Sequence, residues 1–422
     1  MSEDELKIID DPVFQRLRRI KQLSFAYMAY HGAEHSRFGH VLGTMHVVDR
    51  AVQKIQKNSR MLGTNTDLTE DDIKLARFAA LLHDVGHQPF SHALDKVVPI
   101  NHEKYSATIV ENRYGSILEK SHVDPKDVTR LILGQPQKKP FLRSLISGQL
   151  DVDKLDYLLR DSHYAGVKYG VFDLERILDS LFVVDNDLVI FEDGYLSAEQ
   201  LIVARYYMFE QVYNHHTKRA FEGMARKIAK FMFENNELYY PKIEDLNESS
   251  KLIKFGDCDD AWFLRSIHGC SDKSLVHVAK SIENRIPFKV IVDSEDIRRK
   301  MLRSGDDPAG CTGFVTALEI DLASQHSSLG ISESEIMSDG YNTIPYKLRP
   351  YIRSPKEKDE EDEPDIVYIY DNKTGYKEPI EKRSILIEKL ASTTMSTRRI
   401  YVDRNQYETI SSFLKNKYKK YF

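Results

Sequence analysis

Cysteine is scarce in this chain of 422 residues: there are three, and no two of them are spaced as CxxC. Neither a disulfide scaffold nor a zinc ribbon is indicated, and so few thiols are typical of a reducing compartment. Apolar runs of membrane-spanning length are also lacking, and the acidic start MSEDELKIID has no basic or apolar region of a signal peptide. The sequence therefore predicts a cytoplasmic protein with no membrane partner.

An excess of positive charge is lacking as well, since 60 Lys and Arg stand against 65 Asp and Glu, for a net charge of -5 with histidine neutral. A surface coated for nucleic-acid binding has the opposite balance, so nucleic acid is not an expected partner, although a local basic pocket remains open. What is present is 41% hydrophobic and 30% charged residues. Over this length, such a composition is typical of a globular protein with a large core and more than one domain.

The first half of the chain is patterned as successive amphipathic helices. Asp and Pro favour helix starts, and Asp72 stands at capping-box distance from Thr69. The predicted helices start at Asp11, Ser36 and Thr69, the third ends near Gly86, and further helices cover about 150–161 and 197–234. A hairpin is expected over 182–191. On the first helix, Arg16 is assigned to a basic, solvent-facing side.

The pattern changes after about residue 240, where short strand-like runs replace long helices. These runs are FKVIVD at 288–293, DIVYIY at 365–370 and RRIYVD at 398–403. The charged run within 354–365 predicts a solvated loop. We therefore predict a mainly α fold, with a helical core over 1–240 and a smaller α+β region over 241–422.

The stretch LLHDVGHQPFSH at 81–92 ends an apolar helix in histidine and aspartate, which are costly to bury unless paired or metal-bound. His83 and Asp84 are adjacent, so their side chains leave the helix end about 100° apart and can reach one ion. A lone pair of this kind occurs often by chance, and other elements must complete a site. The candidates are His40 and Asp153. Imidazole with carboxylate suits Fe, Mn, Zn, Co or Ni better than Ca, and helix bundles commonly house such sites.

Four segments in order, HSRFGH, LLHDVGHQPFSH, NHEKYS and DVDKLDYLLRD, resemble the HD-domain phosphohydrolases over about residues 8–230. More narrowly, the chain is similar to the deoxynucleoside triphosphate triphosphohydrolases, which include bacterial enzymes and a vertebrate enzyme with SAM and HD domains. The resemblance implies an HD-domain helical bundle as the catalytic core over 1–240. It also implies metal-dependent hydrolysis of a deoxynucleoside triphosphate (dNTP) to deoxynucleoside and triphosphate. The implied metal ligands are His40, His83, Asp84 and Asp153.

The implied chemistry also needs an acid for the departing 5′ oxygen and cations beside the triphosphate, which Mg is expected to accompany. Histidine suits the acid because its pKa lies near neutrality. By resemblance, His92 is the proton donor, His87 touches the α-phosphate, and the supporting residues are Asp95, His102 and Glu103. The residues that correspond to substrate contacts are Gln22, Leu23, Arg37, Lys154, Tyr157, Asp161, Arg205 and Tyr213.

Within that set, Gln22 corresponds to a contact with the 3′ hydroxyl, whereas Leu23 and Tyr213 correspond to residues that crowd the 2′ position. Outside the motif, plainer explanations exist: Arg37 as a surface ion pair, and Asp161 as a solvated residue or a partner of Arg160. Taken alone, a tyrosine such as Tyr157 would more often be packed in the core. His102 and Glu103, taken alone, could simply be a polar pair in a loop. Phe209 stands where the vertebrate enzyme has a histidine, a departure that puts some substrate contacts in doubt.

Asp10, Gln15 and Arg18 resemble a guanine-reading activator site, where a carboxylate accepts from N1 and N2 and a guanidinium donates to O6 and N7. A capped amphipathic helix uses such residues anyway. Relatives carry a DPIHG-like segment before this helix; we expect this chain to lack it, and a SAM domain too, so that the site is altered, weaker or absent. By resemblance we expect a homodimer or homotetramer, with dGTP or GTP as a possible activator. Two other functions stay open: another HD nucleotidase or phosphodiesterase, and a non-catalytic dNTP sensor.

Overall fold

The structure, a computed structural model, describes residues 1–63, 66, 68–95, 97, 101–343, 366–391 and 395–422. The predicted charged loop at 354–365 lies outside these residues, as does the first residue of the run at 365–370. Among the described residues, no helix combines the length and the apolar character needed to cross a bilayer.

Helices account for most of the first 240 residues. The α-helices of this part are α1 (Glu3–Ile9), α2 (Pro12–Gln15), α3 (Arg37–Met61), α4 (Glu70–Leu82), α5 (His102–Ile109), α6 (Gly115–Lys120), α7 (Pro125–Ile132), α8 (Pro140–Ser147), α9 (Val152–Ala165), α10 (Leu174–Ser180), α11 (Tyr195–Met208) and α12 (His216–Glu234).

The rest of the described chain adds shorter helices and most of the strands. These helices are α13 (Ser249–Phe255), α14 (Asp260–Ile267), α15 (Lys273–Glu283), α16 (Ser294–Ser304), α17 (Cys311–Gln325), α18 (Ile380–Arg383), α19 (Ile385–Ala391) and α20 (Tyr407–Lys417). The strands are β1 (Leu181–Val184), β2 (Asp187–Phe191), β3 (Lys289–Asp293), β4 (Ile336–Thr343), β5 (Tyr368–Asp371), β6 (Tyr376–Pro379) and β7 (Met395–Val402). The predicted mainly α fold with a smaller α+β part is confirmed.

Two small sheets accompany the helices. The first has the order β1-β2-β5-β6, with β1 antiparallel to β2 and β2 parallel to β5. The predicted hairpin is confirmed, and Asp185 and Asn186 form its turn with positive φ angles, which Asp and Asn tolerate better than most residues. The second sheet has the order β3-β7-β4, with both pairs antiparallel. It includes the strands predicted at 288–293 and 398–403.

The helix starts predicted at Ser36 and Thr69 are also confirmed. Ser36 is the N-cap of α3. The Thr69 side chain caps α4, and Asp72 closes the capping box by accepting from the Thr69 backbone amide at 2.8 Å. The apolar stripes of α3, α4 and α9 meet in one large core. Residues of the segment 366–391, among them Ile369 and Ile380, belong to this same core. The domain boundary near residue 240 stays a prediction.

The prediction of one long helix over 197–234 is wrong, because this segment is not one continuous helix. It is divided into α11 and α12 by a π-helical turn, Phe209–Tyr213, after which His215 caps α12 by accepting from the Thr217 backbone amide. Distant groups satisfy the carbonyls that the break leaves open: Arg399 donates to the Asn214 carbonyl at 2.8 Å. No proline or glycine lies within this interruption.

Arg16 does not face solvent, and its assignment to a basic surface is wrong. It is fully buried in a 3-10 turn that follows α2. Its guanidinium donates to the Cys258 carbonyl at 2.9 Å and to the carbonyls of Val85 and His87, and it lies over the Phe255 ring. A buried cation is retained here because backbone carbonyls accept hydrogen bonds from its N–H groups.

Candidate active site

Three helices bring the four predicted metal ligands together. His40 lies on α3, His83 and Asp84 follow the end of α4, and Asp153 lies in the first turn of α9. The His40 Nε2 atom is 2.9 Å from an oxygen of Asp153 and 3.8 Å from an oxygen of Asp84. The His83 Nε2 atom is 3.6 Å from each of the same two carboxylates. Two imidazoles and two carboxylates therefore converge on one point.

Hydrogen bonds at the opposite ring nitrogens orient both imidazoles. The His83 Nδ1 atom donates to the Ala80 carbonyl at 2.8 Å, and the His40 Nδ1 atom lies 2.8 Å from a carboxylate oxygen of Asp156. Such contacts direct the Nε2 lone pairs toward a common ligand. The buried Nε2 atom of His83 has no hydrogen-bond partner among the described residues.

The electrostatics of this cluster also favour a cation. Burial opposes ionisation of Asp84, but Arg37 and the neighbouring histidines outweigh it and hold the pKa of Asp84 below its usual range. Burial likewise lowers the pKa of His40, yet its bonds to Asp153 and Asp156 raise that pKa to about 10. The pair of ionised carboxylates thus draws a proton onto His40, at the nitrogen where a metal would bind. The four donors fit a divalent transition metal.

Two glycines permit this close assembly. A Cβ atom at Gly43 would lie 1.9 Å from an oxygen of Asp156, so only glycine lets α9 approach α3 where Asp156 meets His40. At Gly86, in the turn after Asp84, a Cβ atom would meet the Ser106 backbone nitrogen at 2.2 Å. Both positions require the absence of a side chain.

A second group of histidines lies beside the metal cluster. The rings of His87 and His102 stack with centroids 4.1 Å apart, and the His92 ring meets both edge-on. Burial, with Arg37 next, lowers the pKa of His87, and burial with the nearby His92 lowers the pKa of His102 to about 4. Two of these imidazoles are therefore neutral near pH 7.

His92 is the exposed member of this group, and Asp95 orients it. The His92 Nδ1 atom is 2.8 Å from an oxygen of Asp95, whose other oxygen accepts from Gln88. Arg37 is buried, so its alternative assignment to a surface ion pair is wrong. It donates to Asp84 and to the Ser91 hydroxyl, the latter at 2.9 Å.

One cavity of about 600 Å³ joins these groups to the predicted substrate residues. Its size suits a small ligand. Among the residues lining it are Gln22, Leu23, Arg37, His83, Asp84, His87, His92, His102, Glu103, Asp153, Lys154, Tyr157, Asp161, Arg205 and Tyr213. His40 and Asp95 do not line the cavity themselves; His40 contacts the lining residue Asp153, and Asp95 contacts the lining residue His92. The cavity extends away from His40, past Tyr157 at 6.4 Å between ring centroids, to Tyr213 a further 6.2 Å on.

The polar groups in the middle of the cavity are of two kinds: some are fixed by hydrogen bonds, and others have no hydrogen-bond partner among the described residues. The Tyr213 hydroxyl donates to Asp161 at 2.9 Å, and the other oxygen of Asp161 lies 2.7 Å from the His35 Nε2 atom. Asp161 therefore does not pair with Arg160, which binds Asp156 instead. The side-chain oxygen of Gln22 is buried and has no partner among the described residues.

Several residues of the site were missed by the sequence analysis. Asp156 lies three residues after Asp153, and that spacing could have identified it. Asp151 could have been found as the N-cap of α9; its side chain accepts from the Lys154 ammonium at 2.5 Å and fixes this cation beside the cavity. Lys218 and Glu222, which no motif marks, also line the cavity; Lys218 donates to the Tyr213 carbonyl at 3.1 Å, which places this pair at the end away from His40.

The three residues assigned to an activator site lie apart from this cavity. Gln15 donates to the Ile9 carbonyl and accepts from Arg18, with both distances 2.7 Å, and the Arg18 guanidinium lies over the Phe38 ring. Asp10 is exposed at the end of α1. These contacts leave the predicted role in guanine binding untested.

Comparison with known proteins agrees with this architecture. The sequence matches the HD domain family over residues 37–161 and the HD associated region over residues 172–308. The uncharacterized protein YwfO of Bacillus subtilis is 44% identical over 218 residues, 51% of this chain and 49% of that protein. The deoxynucleoside triphosphate triphosphohydrolase SAMHD1 homolog of Dictyostelium discoideum is 30% identical over 315 residues, 69% of this chain and 59% of that protein. The chain spans about half the length of the first curated relatives it matches.

A solved structure supports the same relationship. A phosphohydrolase from Bacteroides thetaiotaomicron superposes with a TM-score of 0.70 and 25% identity, over 94% of this chain and 95% of that chain. The converged histidines and aspartates lie inside the matched HD segment. The chain belongs to the HD-domain phosphohydrolase family.

Proposed function

We propose that this protein hydrolyses deoxynucleoside triphosphates to deoxynucleoside and inorganic triphosphate. The observation that carries the proposal is the content of one cavity. Within about 600 Å³ it joins a cluster suited to a metal, cationic side chains that include Arg37, Lys154 and Arg205, and the residues predicted to contact the sugar. The similarity to a Dictyostelium protein named as a dNTP triphosphohydrolase supports the same substrate class.

His40, His83, Asp84 and Asp153 would hold a divalent transition metal. When bound, such an ion polarises a phosphate oxygen and lowers the pKa of a water molecule. We leave the choice among Fe, Mn, Zn, Co and Ni open, because imidazole and carboxylate donors suit each of them.

The cationic side chains neutralise the triphosphate, which Mg accompanies in solution. Arg37, Lys154 and Arg205 all line the cavity. Lys154 remains a cation: burial opposes its charge, but Asp151 outweighs burial and raises the pKa of the lysine. Fixed positive groups in a partly enclosed cavity stabilise phosphate charge more strongly than mobile ones in water.

The departing 5′ oxygen needs a proton, and His92 supplies it. Its exposure on the cavity wall gives access, and Asp95 at 2.8 Å fixes the ring. His87 is neutral and buried against the metal cluster, so it can donate a hydrogen bond to the α-phosphate without repelling the metal. His102 and Glu103 support these residues.

The middle of the cavity distinguishes deoxyribose from ribose. The unpaired Gln22 oxygen accepts a hydrogen bond from the 3′ hydroxyl, and Asp161 with Tyr157 contacts the sugar. Leu23 and Tyr213 crowd the 2′ position. Tyr213 is held rigidly, since its hydroxyl bonds to Asp161, so it cannot turn aside for a ribose.

A guanine nucleotide activates the enzyme at Asp10, Gln15 and Arg18, in a homodimer or homotetramer in the cytoplasm. The support is chemical: an exposed carboxylate and guanidinium offer the acceptor and donor that guanine needs. Arg18 is already oriented by Gln15.

One incubation series tests the function. The purified protein is mixed with each dNTP alone and in mixtures, with Mg, Mn or Fe, and the products are identified. Triphosphate with deoxynucleoside is the expected product, and cleavage that needs added dGTP or GTP reveals activation. Monophosphate or orthophosphate release would instead assign another HD nucleotidase or phosphodiesterase. Tight dNTP binding without turnover under any metal would assign a sensor.

A further inference from the structure

Asp260 lies at the start of α14, outside the HD segment, yet its side chain binds two loops that adjoin the candidate active site. It is 6% exposed. One carboxylate oxygen accepts from the Phe90 backbone amide at 2.6 Å, and the other accepts from the Lys21 backbone amide at 2.8 Å. One side chain therefore joins two loops that are distant in sequence.

The two loops carry opposite halves of the candidate site. Lys21 immediately precedes Gln22 and Leu23, which line the sugar section of the cavity. Phe90 is two residues before His92, which lines the cavity as the proposed proton donor. The distance between the sugar contacts and the acid therefore depends on how these loops are joined.

The loop at Phe90 has an unfavourable backbone that its surroundings must maintain. Phe90 and the following Ser91 both have positive φ angles, 53° and 54°. Consecutive non-glycine residues in this region are strained and persist only when neighbouring groups hold them. The Ser91 hydroxyl donates to the Lys21 carbonyl at 2.8 Å. The Lys21 carbonyl is therefore bonded to the turn itself, and the Lys21 amide is bonded to Asp260.

Asp260 is not needed to cap α14. Its neighbour Asp259 is the N-cap and accepts from the Trp262 backbone amide at 2.8 Å. Burial raises the pKa of Asp260 to about 6, so its carboxylate is kept in an unfavourable environment. Within the described residues, both hydrogen bonds of the Asp260 side chain lead to the two loops of the site.

We propose that Asp260 is a positioning residue that locks the Phe90–Ser91 turn to Lys21 and so sets the spacing between His92 and the sugar-contacting Gln22 and Leu23. The proposal rests on the proposed function, because the roles of those three residues come from it. Asp260 itself touches no substrate.

The test variant is Asp260→Asn, which keeps size and one acceptor but opposes a side-chain NH₂ group to one backbone amide. The matched control is Asp257→Asn, the same substitution at an exposed carboxylate three residues earlier. Each protein is assayed with a dNTP and with the corresponding ribonucleotide, for turnover and, separately, for binding by calorimetry. Metal content and melting temperature are recorded for all three.

We expect Asp260→Asn to lower kcat by about 10- to 100-fold, since small misplacements of reacting groups cost that much. We expect its preference for the deoxy over the ribo nucleotide to fall by a similar factor, with metal content retained and the control near wild type. A purely structural role would lower the melting temperature and the fraction of active protein without moving that preference. An unchanged preference in a folded Asp260→Asn protein would overturn the proposal.

Two further arms keep the test decisive. If Asp260→Asn does not fold, Asp260→Glu keeps the charge and both acceptor oxygens but moves them by one methylene group, and the same loss of preference is expected. If the wild type binds deoxynucleotides selectively but releases no triphosphate, the proposed function fails while the positioning role is still read from binding. If the wild type binds neither nucleotide, both proposals fail.

Discussion

The two ends of the cavity both contain buried charge, but they differ in what is left unpaired. At one end, His40, His83 and two carboxylates direct donor atoms at a common point, and the buried His83 Nε2 atom has no hydrogen-bond partner among the described residues. At the other end, Lys218 donates to Glu222 at 2.6 Å, and Glu222 also accepts from Arg219 at 3.2 Å. The first end has internal pairs too, but it leaves this converging donor atom without a partner and is in that sense incomplete, whereas the second is an internally paired network.

This difference matters because a count of buried charged residues does not distinguish a ligand site from a structural network. Arg219 and Arg226 also bind Asp339, so the far end ties α12 to the second sheet. Buried charges that are mutually paired contribute mainly to specificity of packing, and breaking one pair is destabilising. Donor atoms that converge without partners, by contrast, indicate a ligand. Variants at each end of the cavity, and one between the ends, test that distinction.

The largest effect is expected at the incomplete end. The double variant His83→Ala with Asp84→Ala removes two of the four ligands, so bound metal should fall to background and hydrolysis below detection. Metal analysis of the purified protein and the triphosphate-release assay measure these outcomes. The control is His268→Ala, which removes an exposed imidazole far along the chain. Full activity in the metal-free double variant would defeat the assignment of the site.

The next effect concerns His92, which lines the cavity but is not one of the four ligands. His92→Ala should slow turnover by about 10²- to 10⁴-fold, the usual contribution of a general acid. Metal content and dNTP affinity should stay close to wild type, because neither depends on this ring. His277→Ala, at another exposed histidine, is the control. Unchanged turnover would mean that another group protonates the leaving oxygen.

At the paired end, the expected loss is of stability. Burial opposes ionisation of Glu222, but Lys218 and Arg219 outweigh it and lower its pKa from 4.5 to about 2. The ionised carboxylate therefore stabilises the fold above about pH 4.5, and this contribution disappears as the pH falls toward 2. Glu222→Gln should be less stable than wild type at pH 7 by on the order of 2–3 kcal/mol. The difference should shrink between pH 4.5 and 2.

Denaturant unfolding at several pH values measures this difference, with Glu283→Gln as the control at an exposed carboxylate. Bound metal should be retained in Glu222→Gln. Loss of metal in this variant would contradict the separation of the two ends, and a stability difference independent of pH would show that the ion pair is not its source.

The same contrast explains what the sequence could predict. The incomplete end is encoded in short motifs at helix ends, so His83, Asp84 and their two remote partners could be named from spacing and resemblance, and the structure brings them together. The paired end and the Asp260 junction could not be predicted from the sequence. Asp260 meets Phe90 across 170 residues, and Arg219 meets Asp339 across 120. Such contacts depend on tertiary packing, as does the break between α11 and α12, which no local signal marks.

The smallest effect is expected between the two ends, where Leu23 lines the sugar section and is 7% exposed. Leu23→Ala removes apolar volume where a 2′ hydroxyl would lie, so the rejection of ribose should weaken while metal and phosphate contacts persist. Apolar walls discriminate weakly against an added hydroxyl, and we expect the ratio of kcat/KM for ribo over deoxy substrate to rise by about tenfold. Leu196→Ala, at a leucine 68% exposed on α11, is the control. Because Leu23→Ala also removes core packing, a general fall in activity alone would not support the assignment; the ratio has to change. If it does not, the sugar is distinguished elsewhere in the cavity, and Tyr213, fixed by Asp161, is the remaining wall to remove.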